Sequence, residues 1–218
     1  MTPRLVPWPR AAAAVIAACV LLVAGLGAFV YRDSRGTGFD DAVERWIARN
    51  VGPSALDAML HLTDPPLIIG LVAAVALVSL LLRRWEVAAL VVATPVAAVL
   101  LTEEVLKPLV HRTNGVLAQS AVDGPFAYPS GHETALAGLV AVLGLLLVRS
   151  RVGLGGKIGG LVVLGAVLVL AAFALVGLYF HFVTDAIAAV GVAVGCMLAL
   201  GLLIDAVYAR MRTPTRVS

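Results

Sequence analysis

Long apolar stretches alternate with short polar connections along most of this 218-residue chain. Six of the stretches are long enough to cross a hydrocarbon core, which takes roughly 20 helical residues. They lie near residues 11–30, 65–82, 86–106, 132–148, 158–180 and 185–208. The pattern therefore predicts an all-α membrane protein built as a bundle of six transmembrane helices.

The connection between the first two stretches has a different pattern, in which apolar residues recur at helical spacing among charged ones. These apolar residues are Phe39, Ala42, Val43, Trp46 and Ile47. The periodicity predicts a short amphipathic helix that lies along the membrane interface with Trp46 as an anchor. A second short helix is expected to begin with Ser54 as its N-cap. A packing or lid role is the simplest interpretation of both helices.

Composition supports a membrane location. Hydrophobic residues make up 61% of the chain and charged residues 13%, which leaves too little polar surface to cover a water-soluble globule. The net charge is +3, but the Lys and Arg residues form short scattered clusters, so no nucleic-acid partner is expected. We expect a single membrane domain over residues 1–218, surrounded by the lipid bilayer. The first apolar stretch is too long for a cleaved signal peptide and is interpreted as an uncleaved anchor.

The cations in the connections predict the orientation of the chain. Ten Lys and Arg residues fall in the two tails and near 83–84 and 149–157, and these segments alternate with two longer connections that hold the other six. Cytoplasmic segments carry an excess of Lys and Arg. Both termini are therefore expected in the cytoplasm and the connections 31–64 and 107–131 outside a plasma membrane. The excess of Arg over Lys, with much Ala, Val and Gly, is typical of a GC-rich bacterium.

The few polar residues at the outer helix ends are the candidates for chemistry. Lys107 and Arg112 follow the third apolar stretch, and His181 and Asp185 join the fifth to the sixth. His181 and Asp185 are four residues apart, so they share a helix face and the carboxylate can hold one ring N–H. The other ring nitrogen is then free as a nucleophile or base. A structural contact and a snorkelling cation are the simpler interpretations of the pair and of Lys107.

The string Pro129-Ser130-Gly131-His132 opens the fourth apolar stretch. Ser130 can cap the helix, and Gly131 lets a ligand approach the N–H groups of the helix start, which favour anions. His132 would then lie beside a bound phosphate. The predicted topology brings this string to the same membrane face as the other candidates. Together they supply what phosphoryl transfer requires, namely donors for the oxygens, a nucleophile and an acid.

These residues resemble the type 2 phosphatidic acid phosphatase (PAP2) superfamily of integral membrane lipid phosphatases, which shares its site with the vanadium haloperoxidases. Pro129-Ser130-Gly131-His132 matches the second motif of the family in full, and His181 with Asp185 matches the end of the third. The likeness covers residues 39–206. It implies six spans with the site on the outer face of the membrane.

The resemblance further implies a lipid phosphatase that works through a phosphohistidine. His181 would attack phosphorus, Asp185 would orient its ring, and His132 would protonate the leaving alcohol. The residues implied to hold the phosphate oxygens are Lys107, Arg112, Ser130 and Gly131. No metal or other cofactor is expected. The implied substrate is a phosphorylated lipid, such as a phosphatidate-like lipid, phosphatidylglycerol phosphate, or a polyprenyl phosphate or diphosphate.

Two positions depart from the family pattern. Asn114 stands seven residues after Lys107, and Leu175 stands six residues before His181, where the family carries arginines. Arg112 is the candidate substitute. The missing arginines favour an alternative, a non-catalytic member that binds or carries a phosphorylated lipid, whereas the two histidines favour catalysis. A small transporter or structural membrane protein is the third interpretation.

Overall fold

The computed structural model describes residues 4–114 and 125–211, and these residues form helices, connecting turns and one isolated bridge between Thr113 and Phe126. The helices are α1 (Pro9–Phe29), α2 (Gly38–Asn50), α3 (Pro53–Leu60), α4 (Pro65–Leu81), α5 (Trp85–Leu101), α6 (Lys107–Val110), α7 (Gly131–Arg149), α8 (Leu154–Gly177) and α9 (Val183–Met211). A 3-10 turn, His61–Thr63, joins α3 to α4, and a π-helical turn, Thr102–Leu106, joins α5 to α6. The expected all-α architecture is confirmed for the described residues.

The helices have the length and composition of membrane spans. Within the described ranges, five helical runs qualify, namely α1, the run Trp85–Val110, α7, α8 and α9. A sixth candidate is the pair Pro53–Thr63 and Pro65–Leu81, which is bent by 42°. The bend follows from Pro65 and Pro66, because proline lacks the N–H that a continuous helix requires. The chain is a multi-pass membrane protein, and the count of six spans stays a prediction.

Helix α7 packs against α4, α5, α8 and α9 and so forms the middle of the bundle. At its crossing with α5, Gly138 faces Pro95, and a Cβ added at Gly138 would lie 2.9 Å from the Pro95 Cα. Small residues let membrane helices approach closely and gain van der Waals contact. The close α5–α7 crossing brings the C-terminal end of α5 near the start of α7.

Substitution Gly138→Ala is expected to lower the free energy of unfolding by about 1–3 kcal/mol, because the new methyl group must displace the α5 backbone. The measurement is Tm in detergent micelles. Gly165→Ala in α8 is the matched control, since nothing lies within 4 Å of a Cβ at that position. The control should keep or raise Tm because Ala is the better helix former. Equal losses in both variants would contradict the assignment of this crossing.

Helix α2 lies where the sequence predicted the first short helix. It begins after Thr37, whose hydroxyl and backbone N–H exchange hydrogen bonds with Asp40 in a capping box. Ile47 is buried, whereas Phe39 and Trp46 are more than half exposed. The placement of α2 along a membrane interface stays a prediction.

Helix α3 corrects one detail of the sequence interpretation. It begins at Pro53 with Gly52 as its N-cap, so the expected Ser54 cap is wrong by two residues. Proline is favoured at the first helical position because the N–H that it lacks has no partner there. Leu56 packs onto Gly177 at the end of α8. Helix α3 thus supports the turn that leads into α9.

Three chain segments meet at one end of the bundle. The run through α5 widens into a π-helical turn ahead of Pro108, which has no N–H to bond the carbonyl of Glu104. The start of α7 touches the start of α9, because the Ser130 N–H donates to the carbonyl oxygen of Asp185 at 3.4 Å. These are the segments that the sequence assigned to one membrane face.

Candidate active site

A groove with a cavity volume of about 720 Å³ opens between α4, α5 and α7. The residues that line its polar end are Glu103, Lys107, Gly131, His132 and His181. The rest of the groove is apolar, formed largely by Ile68, Ile69 and Val72 of α4 and Val96, Val99 and Leu100 of α5. Ile69 and Val96 are exposed on the outer surface of the bundle. The groove therefore runs from a polar end to an apolar surface on the outside of the helix bundle.

A second cavity of about 590 Å³ lies between α1, α6 and α9. Its described lining is almost entirely apolar and includes Cys19, Cys196 and Tyr128, with neither His132 nor His181. The Tyr128 hydroxyl donates to the carbonyl oxygen of Val23 at 2.6 Å. The candidate chemistry is therefore confined to the first groove.

Lys107 is the one cation among the described residues that line the groove. Its Nζ lies 2.8 Å from Oε1 of Glu103, and its side chain is buried. Gly131 adjoins both groups, since a Cβ there would run into Oε1 of Glu103 and lie 3.7 Å from Nζ of Lys107. The missing side chain of Gly131 lets charged groups reach the start of α7, where the helix dipole favours anions.

Ser130 is the N-cap of α7, as the sequence predicted. Its Oγ accepts a hydrogen bond from the Glu133 N–H at 3.3 Å. Its side chain is buried and is not part of the described groove lining. Gly131 and His132 line the groove in its place, so Ser130 acts on the site by holding the helix start.

His181 reaches the groove from the turn between α8 and α9. Its Nδ1 lies 3.0 Å from the carbonyl oxygen of Ala127, which can only accept a hydrogen bond. In the neutral ring this contact places the proton on Nδ1, so that Nε2 is the nitrogen without a proton. Asp185 was expected to hold this N–H, but its Oδ2 is 3.6 Å away and accepts from the Phe182 N–H at 3.0 Å instead. A backbone carbonyl thus sets the tautomer, with Asp185 as the second neighbour of the ring.

Arg112 is fully buried among carboxylates and is not part of the described groove lining. Its Nη1 donates to Asp185 at 2.5 Å and to the Thr184 hydroxyl at 2.6 Å, and its Nη2 donates to Asp40 at 2.8 Å. The guanidinium lies over the Phe182 ring, 4.0 Å from its centroid. Arg112 was expected to hold phosphate, whereas in the structure both of its Nη groups are paired with carboxylates.

Asp40 is a partner of Arg112 that the sequence analysis did not predict. Besides Arg112, it accepts hydrogen bonds from the backbone N–H groups of Thr184 at 2.9 Å and Thr37 at 3.0 Å. Burial alone raises the pKa of Asp40, but these hydrogen bonds and the Arg112 charge bring it below its ordinary value. A signal was present, because Asp40 precedes the buried Ile47 by seven residues and so shares its helix face. A carboxylate on a buried face needs a partner.

The ion cluster of Arg112 ties three parts of the chain together. Asp33 follows α1, Asp40 lies in α2 and Asp185 opens α9, and all three carboxylates contact the one guanidinium. Burial alone lowers the pKa of Arg112, but the charges of Asp185 and Asp40 raise it above its ordinary value. The cluster therefore fixes the start of α9 and with it Asp185 beside His181.

The described residues contain no group of His, Cys, Asp and Glu side chains arranged to hold a metal ion.

The two positions that lack the expected arginines are both buried. Neither Asn114 nor Leu175 is part of the described groove lining. The Leu175 carbonyl oxygen accepts from the N–H groups of Phe180 at 2.9 Å and His181 at 3.1 Å. Leu175 thus shapes the turn that presents His181 through its backbone.

Comparisons with known proteins place the fold. No family model and no curated protein matches the sequence. Among solved structures, a transmembrane PAP2 type phosphatidylglycerolphosphate phosphatase from Bacillus subtilis matches with a TM-score of 0.67. The match covers 92% of this chain and 98% of that chain at 21% sequence identity. The two chains share one fold. The expected all-helical membrane fold is confirmed, whereas the count of six spans and the orientation stay predictions.

Proposed function

We propose that this protein is a membrane lipid phosphatase that hydrolyses a phosphate monoester or diphosphate of a lipid through a phosphohistidine on His181. One observation carries the proposal: His181, His132 and Lys107 line the polar end of a groove that is otherwise apolar. A water-soluble phosphate ester has no apolar chain to bury in the apolar part of the groove. A phosphorylated lipid fills both parts of the groove.

The first step is transfer of the phosphoryl group to His181. The unprotonated Nε2 forms a bond to phosphorus, while the bond from phosphorus to the lipid oxygen breaks and His132 donates a proton to that oxygen. Lys107 and the N–H groups at the start of α7 stabilise the negative charge on the phosphoryl oxygens. The Asp185 carboxylate, 3.6 Å from Nδ1, stabilises the positive charge that develops on the ring.

The second step releases phosphate from His181. His132, now neutral, accepts a proton from water as the water oxygen bonds to phosphorus and the bond between phosphorus and Nε2 breaks. Inorganic phosphate leaves, and both histidines return to their starting protonation states. The step requires no metal ligand or cofactor from the chain.

Substrates with the required chemistry include phosphatidate-like lipids, phosphatidylglycerol phosphate, and polyprenyl phosphates or diphosphates. The apolar channel along α4 and α5 lets the chains stay in lipid while the phosphate reaches His181. The distribution of Lys and Arg supports a site on the outer face of a plasma membrane, with both termini in the cytoplasm.

A second candidate function is binding or carriage of a phosphorylated lipid without hydrolysis. Two observations favour it: Arg112 is paired with carboxylates, and Lys107 is paired with Glu103. Loss of one oxyanion donor typically costs about 100- to 1,000-fold in rate. A protein that only binds the lipid has no need of an imidazole with an unprotonated Nε2 at the site, which favours the catalytic proposal.

The test is phosphate release by the purified protein from these lipids in mixed micelles. We expect release that vanadate inhibits, and a phosphoenzyme that is labile in acid and stable in base, as a phosphoramidate is. Saturable lipid binding without release would support the carrier function. The absence of both lipid binding and phosphate release would contradict both functions.

A further inference from the structure

Glu103 places a carboxylate inside the proposed phosphate site. Its Oε1 lies 2.8 Å from Nζ of Lys107 and packs against Gly131 at the start of α7. A substrate phosphoryl group needs this same cation and this same helix end. The carboxylate is about one-third exposed, so it faces the open groove instead of the protein interior.

The net charge of the groove lining is unusual for a site that binds a phosphate. Lys107 and Glu103 cancel one another, and the described lining contains no other permanently charged group. A phosphate monoester that enters the site therefore meets a carboxylate at close range. Like charges in contact disfavour binding unless a donor lies between them or one of them is paired elsewhere.

The second carboxylate oxygen of Glu103 is available to a ligand, because the polar contacts of this side chain are confined to the ion pair of Oε1 with Lys107. An acceptor that lines a binding groove next to the reacting group recognises a hydrogen-bond donor. For the phosphate dianion, which carries acceptors only, that donor must belong to the part of the substrate attached to the phosphate.

We propose that Glu103 determines substrate specificity by accepting a hydrogen bond from a hydroxyl or ammonium group close to the phosphoester of the lipid. When the phosphate replaces Glu103 as the partner of Lys107, a lipid that carries such a donor supplies a new hydrogen bond to the Glu103 carboxylate. Lipid phosphates without one leave the carboxylate unpaired beside a second anion. The inference rests on the proposed lipid phosphatase function.

The test compares three lipid phosphates in the same micelles: phosphatidate with no donor, phosphatidylglycerol phosphate with a hydroxyl, and sphingosine 1-phosphate with both an ammonium and a hydroxyl. The wild-type protein should prefer one or both donor-bearing lipids over phosphatidate in kcat/KM by about tenfold or more. Glu103→Gln should lose this preference, chiefly by gaining turnover on phosphatidate. A preference for phosphatidylglycerol phosphate over phosphatidate shows that a hydroxyl suffices, whereas a preference for sphingosine 1-phosphate alone favours the ammonium.

Glu104→Gln is the matched control, because Glu104 is the next acidic residue on the same turn, is exposed and is not part of the described groove lining. It should keep the wild-type preference. An equal gain on all three lipids in Glu103→Gln would show that Glu103 merely competes with phosphate, and would overturn the inference. Unchanged ratios in Glu103→Gln would overturn it as well.

Failure of the proposed function gives a different result. If the wild-type protein releases no phosphate from these three lipids or from polyprenyl phosphates and diphosphates, the phosphatase assignment is wrong. Dissociation constants for the same three lipids then test Glu103 independently, with the same preference expected in the wild-type protein and its loss expected in Glu103→Gln. Equal dissociation constants for all three lipids would overturn the inference.

Discussion

Replacement of His181 by glutamine is expected to abolish phosphate release, with a loss of about 10,000-fold or more in kcat. The loss is this large because glutamine has no unprotonated ring nitrogen to form the bond to phosphorus. His181 is buried except where it lines the groove, and glutamine preserves a donor for the Ala127 carbonyl. The fold should therefore survive, and Tm should stay close to that of the wild-type protein.

His61→Gln is the matched control for this variant. His61 is exposed and pairs with Asp64 on the 3-10 turn after α3, outside the described groove lining. It should keep full activity and should still form the acid-labile phosphoenzyme, which His181→Gln should not form. Turnover by His181→Gln within about tenfold of the wild-type protein would contradict the assignment of the nucleophile.

Replacement of Arg112 by methionine is expected to lower the free energy of unfolding by about 3–5 kcal/mol. The side chain is fully buried, so its removal leaves the carboxylates of Asp40 and Asp185 without their cation. Turnover should fall as well, because the start of α9 and the Asp185 carboxylate beside His181 lose their support. The measurements are Tm in detergent micelles and phosphate release by the same preparation.

Two comparisons separate this role of Arg112 from the role of a phosphate ligand. Arg35→Met removes an exposed arginine from the connection between α1 and α2 and should leave Tm unchanged. Adding Asp40→Asn to Arg112→Met should recover part of the lost stability, because it removes one of the unpaired charges. An Arg112→Met variant with an unchanged Tm and a raised KM would instead identify Arg112 as a phosphate ligand.

The helices could be predicted from the sequence because the hydropathy of a span is a local property. Each of the six predicted stretches overlaps a helix, and the run through 86–106 extends to Val110 in the structure. The bend between the two halves of the α3–α4 pair was missed. It depends on Pro65 and Pro66, which lie at the edge of an apolar stretch and do not interrupt its hydropathy.

Local rules also located part of the candidate site. The Ser130 cap was predictable because a capping hydrogen bond joins residues three apart in sequence. The positions of His132 and His181 at helix ends followed from the limits of the apolar stretches, which are also a local property. Whether these residues carry out the proposed chemistry stays a prediction.

The partners of Arg112 and Asp185 were not predictable in this way. The spacing of four residues suggested that Asp185 holds His181, whereas in the fold His181 lies in the turn before α9, Asp185 pairs with Arg112, 73 residues away, and Ala127 holds the ring. Asp40 lies 144 residues from Thr184, which donates to it. No local pattern ranks such distant pairs against nearer ones.

The sequence by itself determined that this chain is an all-helical membrane protein and which of its few polar residues stand at helix ends. Only the tertiary structure decided which of those residues share a groove and which are paired out of reach of a ligand. The physical reason is the difference in range. Hydropathy and capping act over a few residues, whereas the pairing of a buried charge depends on every chain segment that packs around it.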